Sequence, residues 1–289
     1  MAPHPELSII LPARNEAAAL RDLLPALRAR FPDAEILLVD DASGDETAQL
    51  GRDSGCRVIS HPYRIGNGAA VKTGLRAASG TVTALMDADG QHRPEDLEKL
   101  LERFRSGGFD MVVGARSHEG HASHRRWAAN GVFNRLASWM TNQRVLDLTS
   151  GFRVARTELL REFRSLLPNG FSYPTTMTMS FFRSGYTVDF VPVEVQERVG
   201  ESHIRPIRDG VRFLLIIFRI GTLYSPLKLF LPVSLLLFVL ATGLYGYTYL
   251  MYRQFTNMSA LLYTTSLLTF LIGLVSEQIT NLMYQMKGR

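Results

Sequence analysis

Short apolar runs alternate with amphipathic stretches through the first half of the chain, and two long uncharged runs close it. Leu7-Ser8-Ile9-Ile10-Leu11 reads as a strand that Pro12 ends. Asn15 and Glu16 then open a helix whose apolar positions Leu20, Leu23, Leu24, Leu27 and Phe31 recur at helical spacing. The same reasoning predicts strands at Glu35 to Val39, Arg57 to Ser60, Thr81 to Met86 and Met111 to Gly114. Between them it predicts a short helix that Asp45 can cap, a helix from Ala69 to Ala78 and another from Pro94 to Phe104. Pro94 at the first helical position, Glu95 and Asp96 in the first turn, and Arg103 and Arg105 near the end all suit the helix dipole. Such alternation predicts an α/β fold class: a mainly parallel sheet with helices on both faces.

The second half has a different character. Leu229 to Tyr252 and Gln254 to Ser276 contain no charged residue, and at ~1.5 Å per residue each can cross a hydrocarbon core of ~30 Å. Before them, Pro206 to Tyr224 places Asp209, Arg212 and Arg219 on one flank of a helix that is otherwise apolar, the character of a segment lying in a membrane interface; a buried core helix is the alternative, and the spans beginning just after it favour the interface. The predicted organisation is therefore a catalytic domain over residues 1–203, a juxtamembrane helix over 204–226 and a two-helix hairpin over 227–289. The net charge of +5 changes meaning in this light. Arg205, Arg208, Arg212, Arg219 and Lys228 stand against Asp209 just before the first span, and Lys287 and Arg289 follow the second. Positive-inside bias then puts the catalytic domain and both termini in the cytoplasm, and the basic balance marks a membrane flank rather than a nucleic-acid surface. The opening residues lead directly into a strand without a signal-peptide pattern, and the single Cys56 can form no internal disulfide, which fits a reduced compartment. Gly243, Gly246 and Gly273 offer close helix packing between protomers, and Glu277 is expected at the interface.

Candidate chemistry gathers where strands end. The Thr81 strand stops in Asp87-Ala88-Asp89-Gly90-Gln91, and the Glu35 strand stops in Asp40-Asp41. In sheets of this kind ligands collect outside the carboxyl ends of strands. Carboxylate and amide oxygens suit hard cations such as Mg²⁺ or Mn²⁺, which share their remaining positions with substrate phosphates. If the chain stays extended, alternation puts Asp87, Asp89 and Gln91 on one side. Polar capping of a strand before a helix is the alternative for an isolated Asp-x-Asp. Gly66 to Lys72 is no dinucleotide fingerprint, because it follows the third strand and has Val71 where a small residue belongs.

Several ordered pieces carry a resemblance. Leu11-Pro12-Ala13-Arg14-Asn15-Glu16, Val39-Asp40-Asp41-Ala42-Ser43, Gly66-Asn67-Gly68-Ala69-Ala70, Asp87-Ala88-Asp89-Gly90-Gln91-His92, Gly114-Ala115-Arg116, Asp147-Leu148-Thr149-Ser150-Gly151-Phe152-Arg153 and Arg198-Val199-Gly200-Glu201-Ser202 follow one another in fixed order. Together they resemble glycosyltransferase family 2 with its GT-A fold, and within it the polyprenyl-phosphate glycosyltransferases typified by dolichyl-phosphate mannose synthase. The resemblance implies inverting transfer of one sugar from a nucleotide-diphosphate sugar, GDP-mannose or a UDP-hexose, to undecaprenyl or dolichyl phosphate. The work would be done at the cytoplasmic or an ER-type membrane, and the glycines of the spans leave a homo-oligomer open.

The resemblance also implies roles. Asp87, Asp89 and Gln91 hold the metal, with Asp89 catalytic. Pro12, Asn15, Glu16, Asp41, Lys72, Asp87, Ala88, Asp89, Arg198, Ser202 and His203 surround the donor nucleotide, although Lys72 also reads as a solvated surface lysine. Arg116, Arg125, Arg126 and Asn134 receive the acceptor phosphate, where guanidinium forks suit phosphate oxygens; a surface basic patch is the other reading of Arg125 and Arg126. Asp147 is a catalytic candidate that orients an arginine or acts as a base, with an N-cap or salt bridge as the plainer role. His203 stands where the family commonly has a lysine, so the loop's hold on diphosphate is expected to be weaker or pH-dependent. A phosphate acceptor is already ionised near neutral pH, with a second pKa of about 6, and needs no general base. A processive polysaccharide synthase is the alternative, but Ser123-His124-Arg125-Arg126-Trp127 only echoes the Gln-x-x-Arg-Trp element of those enzymes. An adaptor with a dead nucleotide fold would not need Asp87, Asp89 and Gln91.

Overall fold

The computed structural model describes residues 5–116, 124–170, 172–194, 221–222 and 224–285, without the side chains of 124–130, 132 and 284–285. The chain divides into two compact units, residues 1–205 and 206–289. In the first, seven strands form one sheet: β1 (Leu7–Ala13), β2 (Glu35–Asp40), β3 (Arg57–Ser60), β4 (Val82–Leu85), β5 (Met111–Arg116), β6 (Arg153–Arg156) and β7 (Val188–Val193). Their order across the sheet is β3-β2-β1-β4-β6-β5-β7. All neighbours are parallel except those of β6, which runs antiparallel to both β4 and β5. Helices α1 (Ala17–Arg30), α2 (Thr47–Asp53), α3 (Asn67–Ala77), α4 (Pro94–Gly107), α5 (His124–Thr141), α6 (Thr157–Glu162) and α7 (Tyr173–Arg183) connect the strands. The predicted strands and helices up to residue 116 recur within a few residues, as the expected mainly parallel α/β sheet.

Pleating sorts the strand residues onto two faces. Ile9 and Leu11 of β1, Ile36 and Leu38 of β2, and Phe152 and Val154 join one buried cluster with Leu20, Leu24 and Leu27 of α1 and Leu97 and Leu100 of α4. On the other face α3 lies against β1, with Gly74 so close to Ile10 that a Cβ would collide with it. Apolar strands covered on both sides are why β1 and β2 read as continuous hydrophobic runs. The chain reverses its order beside β1, with β2 on one side and β4 on the other, and such a switch opens a crevice at the strand carboxyl ends. Because β6 is antiparallel, its beginning lies at that same rim. Arg153 is in register with Leu85 of β4 and Val113 of β5.

In the second unit, α8 (Pro226–Tyr252) and α9 (Asn257–Gln285) pack as a hairpin, and both are long and apolar enough to cross a membrane. Leu235, Leu236, Val239, Leu240, Leu267, Leu268 and Val275 face outward, an apolar surface that only lipid or another apolar partner would cover. Polar groups inside are paired: Ser234 Oγ donates to the Ser266 carbonyl at 2.9 Å and Ser266 Oγ donates back to the Ser234 carbonyl at 2.8 Å. The second span departs from its expected limits. It starts at Asn257 rather than Gln254, because Arg253 closes α8 in the left-handed region (φ 54°) and the following residues turn. It also continues past Glu277, whose Oε2 accepts the Leu227 N–H at 3.2 Å and so caps the first turn of α8. Gly273 packs on Phe230, whereas Gly243 and Gly246 have open space where a Cβ would be. Most of the expected interfacial helix lies outside the described residues.

At the amino end of the sheet, Glu35 joins β1, β2, β3 and the loop before β4. Its carboxylate accepts from Ser8 Oγ (2.6 Å), Ser79 N (2.7 Å), Ser79 Oγ (2.8 Å) and Arg57 Nη1 (3.2 Å). Burial alone would raise its pKa, but these hydrogen bonds outweigh burial and hold it below the ordinary glutamate value. A depressed carboxyl adds stability above its unfolded pKa and loses it as pH falls through the folded one. Glu35→Gln is therefore expected to lower unfolding free energy at pH 7 by about 1–2 kcal/mol. It should also flatten the loss of stability between about pH 5 and pH 3, as followed by denaturant unfolding at each pH.

Candidate active site

The rim begins with two loops sewn together by side chains. Asn15 sits in the left-handed region (φ 56°); its N–H donates to Ser43 Oγ (2.9 Å) and its Oδ1 accepts the Gly44 N–H (2.8 Å). Glu16 N donates to Thr47 Oγ1 (2.9 Å) and Ala17 N to Asp45 Oδ2 (3.1 Å). Asp45 Oδ1 also accepts the Thr47 N–H at 3.1 Å, so the capping predicted for α2 serves α1 as well. Pro12 lies within β1, opposite Val39. Asp41 is buried, and its carboxylate accepts from His61 Nδ1, Ile65 N and Gly66 N, all at 2.8 Å. Those bonds shape the loop between β3 and α3 and occupy much of the acceptor capacity that a nucleobase would use.

That loop leads straight to the carboxylate pair. After Leu85 the chain leaves the sheet and turns at Ala88 and Asp89, with Gly90 at φ 75°, where a side chain would be strained. The expected extended alternation through Gln91 is thus replaced by a turn, and the turn brings Asp87 and Asp89 into electrostatic contact. Burial first and the Asp89 carboxylate second push the Asp87 carboxyl up to about 6. A hydrogen bond from Asn67 and the charges of Arg116 and Arg153 act in the opposite direction. Asn67 Oδ1 is buried without a partner, and Gly151 passes so near that a Cβ would lie 3.0 Å from Asp87 Oδ2 and from the Tyr173 hydroxyl.

The donor set fits a hard divalent cation. Asp87, Asp89 and Gln91 are oxygen donors, and mutual repulsion of the first two is what Mg²⁺ or Mn²⁺ relieves. Among the described residues no group of three or more His, Cys, Asp or Glu side chains could cage an ion. The Gln91 N–H donates to Asp89 Oδ1 at 3.2 Å, which keeps Gln91 next to the carboxylate pair.

Across the rim Arg116, at the end of β5, is gripped by Asp147. Nε donates to Asp147 Oδ2 at 2.7 Å, Nη2 to Oδ1 at 3.0 Å, and Nη2 also reaches Thr149 Oγ1. Asp147 further accepts the N–H groups of Arg116, Thr149 and Ser150, together with the Thr149 hydroxyl. Burial opposes its charge, but the Arg116 interactions and these donors hold the carboxyl below the usual aspartate value. A carboxylate so satisfied is a poor base and a good clamp, so its place here is to fix the plane of the Arg116 guanidinium. His92 is buried, stacked on Phe152 (4.4 Å between centroids, 16° between planes), and kept neutral by burial and by Arg116, with a pKa of about 4.

Other expected site residues have local partners. Lys72 Nζ donates to the Leu167 carbonyl (3.2 Å) and to Asn169 Oδ1, and burial lowers its pKa. Asn134 Oδ1 accepts the Leu148 N–H at 3.0 Å and its Nδ2 donates to the Leu146 carbonyl, shaping the loop that carries Asp147. Arg125 and Arg126 fall on α5, outside the described side chains, and Arg198, Ser202 and His203 lie outside the described residues. Asn67, Gly151 and Arg153 stand within the motifs quoted above but were given no role from sequence, and Tyr173 was not singled out at all. A charge inside Phe152-Arg153-Val154-Ala155, otherwise a buried strand, was the available signal for Arg153.

Comparison with known proteins fits this geometry. Residues 8–164 match the model of Glycosyl transferase family 2, and residues 225–282 match that of the GtrB C-terminal hairpin. The chain is 31% identical over 212 residues to an undecaprenyl-phosphate mannosyltransferase of Micrococcus luteus, covering 67% of this chain and 85% of that one. It is 31% identical over 208 residues to a dolichyl-phosphate hexose transferase of Haloferax volcanii, covering 71% and 89% respectively. Glucosyl-3-phosphoglycerate synthase of Mycobacterium tuberculosis, solved with Mn²⁺, UDP and glucosyl-3-phosphoglycerate, shares the fold at 21% identity with a TM-score of 0.60, over 75% of this chain and 79% of that one.

Burial of Asp87 and its repulsion by Asp89 have a measurable cost. Because the folded pKa of Asp87 is raised, its charge destabilises the ion-free protein above about pH 6. In EDTA at pH 8, Asp87→Asn is expected to unfold with a free energy higher by about 1–3 kcal/mol. At pH 4, where the wild-type group is protonated, the gain should disappear; thermal unfolding at both pH values checks this.

Proposed function

The chain belongs to glycosyl transferase family 2, and from that premise we propose that it moves one sugar from a nucleotide-diphosphate donor to a polyprenyl phosphate. The observation that carries the reading is the Asp87–Asp89 pair on the same rim as the clamped Arg116, in a chain with a C-terminal apolar hairpin. Relatives named for undecaprenyl-phosphate and dolichyl-phosphate acceptors support the acceptor class. The donor is GDP-mannose or a UDP-hexose. Its nucleoside lies over the loops joined by Asn15, Glu16 and Asp41, and its diphosphate lies toward Asp87, Ala88 and Asp89. A divalent cation, when bound there, neutralises the diphosphate as the glycosidic bond breaks.

The residues divide the remaining work. Asp89 and Gln91 would hold the ion, with Asp87 as a further ligand or beside them. Asp147 holds the Arg116 fork in one plane, and a guanidinium held in that way pairs with phosphate oxygens in two parallel bonds. Arg125 and Arg126 add charge for the same headgroup. An acceptor phosphate with its second pKa at about 6 attacks already ionised, so the site needs positioning rather than a base. Attack opposite the departing diphosphate inverts the anomeric centre. The hairpin keeps the enzyme in the bilayer where the lipid is dissolved, with the catalytic unit and both termini on the cytoplasmic side as the basic flanks direct.

Full-length protein in detergent, offered labelled nucleotide sugars with undecaprenyl or dolichyl phosphate and Mn²⁺ or Mg²⁺, should yield a labelled lipid that carries a single sugar. Chelation or Asp89→Asn should reduce turnover by roughly 10²-fold or more. Transfer that survives thorough chelation, or a polymeric product, would overturn the reading. Arg116→Lys keeps the charge but not the fork, and it is expected to raise KM for the lipid phosphate about tenfold while leaving KM for the donor unchanged.

A further inference from the structure

Arg153 is the most deeply buried cation among the described residues, with no exposed surface. Its hydrogen bonds go to neutral acceptors: the Pro174 carbonyl (3.1 Å), Thr178 Oγ1 (3.2 Å) and the Ser150 carbonyl. Nε has no partner, and among the described residues no carboxylate is seen in an ion pair with this guanidinium. An uncompensated guanidinium in a protein interior is expensive, so a negative field must justify it. That field has a clear source. The register of β6 sets Arg153 against Leu85, two residues before Asp87, and against Val113, three residues before Arg116. Burial works against the charge of Arg153, while Tyr173, then Asp147 and then Asp87 support it electrostatically. The carbonyls it binds belong to the walls of the Asp87 pocket: Ser150 precedes Gly151, which packs on the Asp87 carboxylate, and Pro174 follows Tyr173, whose hydroxyl borders the same point.

We propose that Arg153 is the built-in counter-charge of the Asp87–Asp89 pair: a positioning residue that lets two carboxylates stand together before a cation arrives and then shares them with it. This rests on the reading of that pair as the cation-holding rim. Arg153 touches no reacting atom. It acts through Asp87, by charge across the end of β4 and by holding Ser150 and the first turn of α7 where they wall the carboxylate.

The counter-charge role has a sign that a purely structural role lacks. Removing a positive charge makes the rim more negative, so the ion-free protein should lose stability while Mn²⁺ binds more tightly. Arg153→Met and Arg153→Lys, made in the full chain in detergent at pH 8, separate charge from hydrogen bonding. The Met variant is expected to have a lower Tm in EDTA and a Kd for Mn²⁺ roughly threefold or more below wild type, by titration of free Mn²⁺. The Lys variant should lose Tm but keep the wild-type Kd. A Met variant that binds Mn²⁺ equally or more weakly would overturn the proposal, as would a Lys variant that binds like Met.

A second arm needs no metal. In an Asp87→Asn background, Arg153→Met should cost less Tm than it does alone, because the charge it balances has gone. Additive losses would overturn the proposal whatever the metal data show. If Arg153→Met alone yields no folded protein, recovery of folded protein in the double variant supports the proposal and failure to recover it refutes it. Absence of any Mn²⁺ binding by the wild type would instead sink the cation reading of the rim, and this second arm would still decide the part played by Arg153.

Discussion

Two negative side chains standing side by side at the end of a buried strand are the constraint on which the catalytic unit depends. Burial first, and repulsion between the like charges second, work against the pair, and Asp87 registers both in its raised pKa. Much of the nearby architecture answers it. Asn67, at the first turn of α3, gives Asp87 a hydrogen bond; Arg116 and Arg153 approach from the neighbouring strands β5 and β6; Gly151 leaves the carboxylate room. A sheet of parallel strands alone would bring strand ends to this rim but not the start of a strand. The antiparallel β6 supplies that start, and with it the segment from Asp147 to Arg153.

The rim is held by side chains that grip backbone. Asp41 binds two N–H groups of the loop before α3, Asp147 binds three in its own neighbourhood, and Asp45 binds one each from α1 and α2. These carboxylates fix the loops from within, so the loops meet a substrate largely preformed. Pre-organisation of this kind matters most where the reaction needs alignment rather than proton transfer.

Periodicity made the sheet legible because β1, β2 and β4 are covered on both faces and their apolar runs stop abruptly at charged residues. β6 and β7 were not anticipated. Arg153-Val154-Ala155-Arg156 is short and bracketed by arginines, and Val188 to Val193 contains Asp189 and Pro192, so neither shows a clean period. The polar motifs marked the rim correctly as a place where strand ends meet, but a motif does not say how each side chain is spent. Asp41, Asn134 and Lys72 look like ligand contacts in sequence and are engaged with the protein's own loops in the structure. That difference lies in contacts made across long stretches of chain, Lys72 with Leu167 and Asn169 for example, which no local pattern records. The apolar spans were plain from composition, whereas the end of α8 depended on one backbone conformation at Arg253.

The strand order carries a consequence for assembly. β6 lies between β4 and β5, yet it is synthesised after both. Until residues 153–156 are inserted, β4 and β5 have no common partner, and each offers an open edge of unpaired N–H and carbonyl groups. The nascent domain is therefore a four-stranded sheet open at β4, with β5 unpaired because its other neighbour β7 follows later still, and the strand that joins them begins with the last residue of the motif that finishes the rim. Closing the sheet and completing the site are one event, so a chain caught short of it is both inactive and prone to stick to its neighbours.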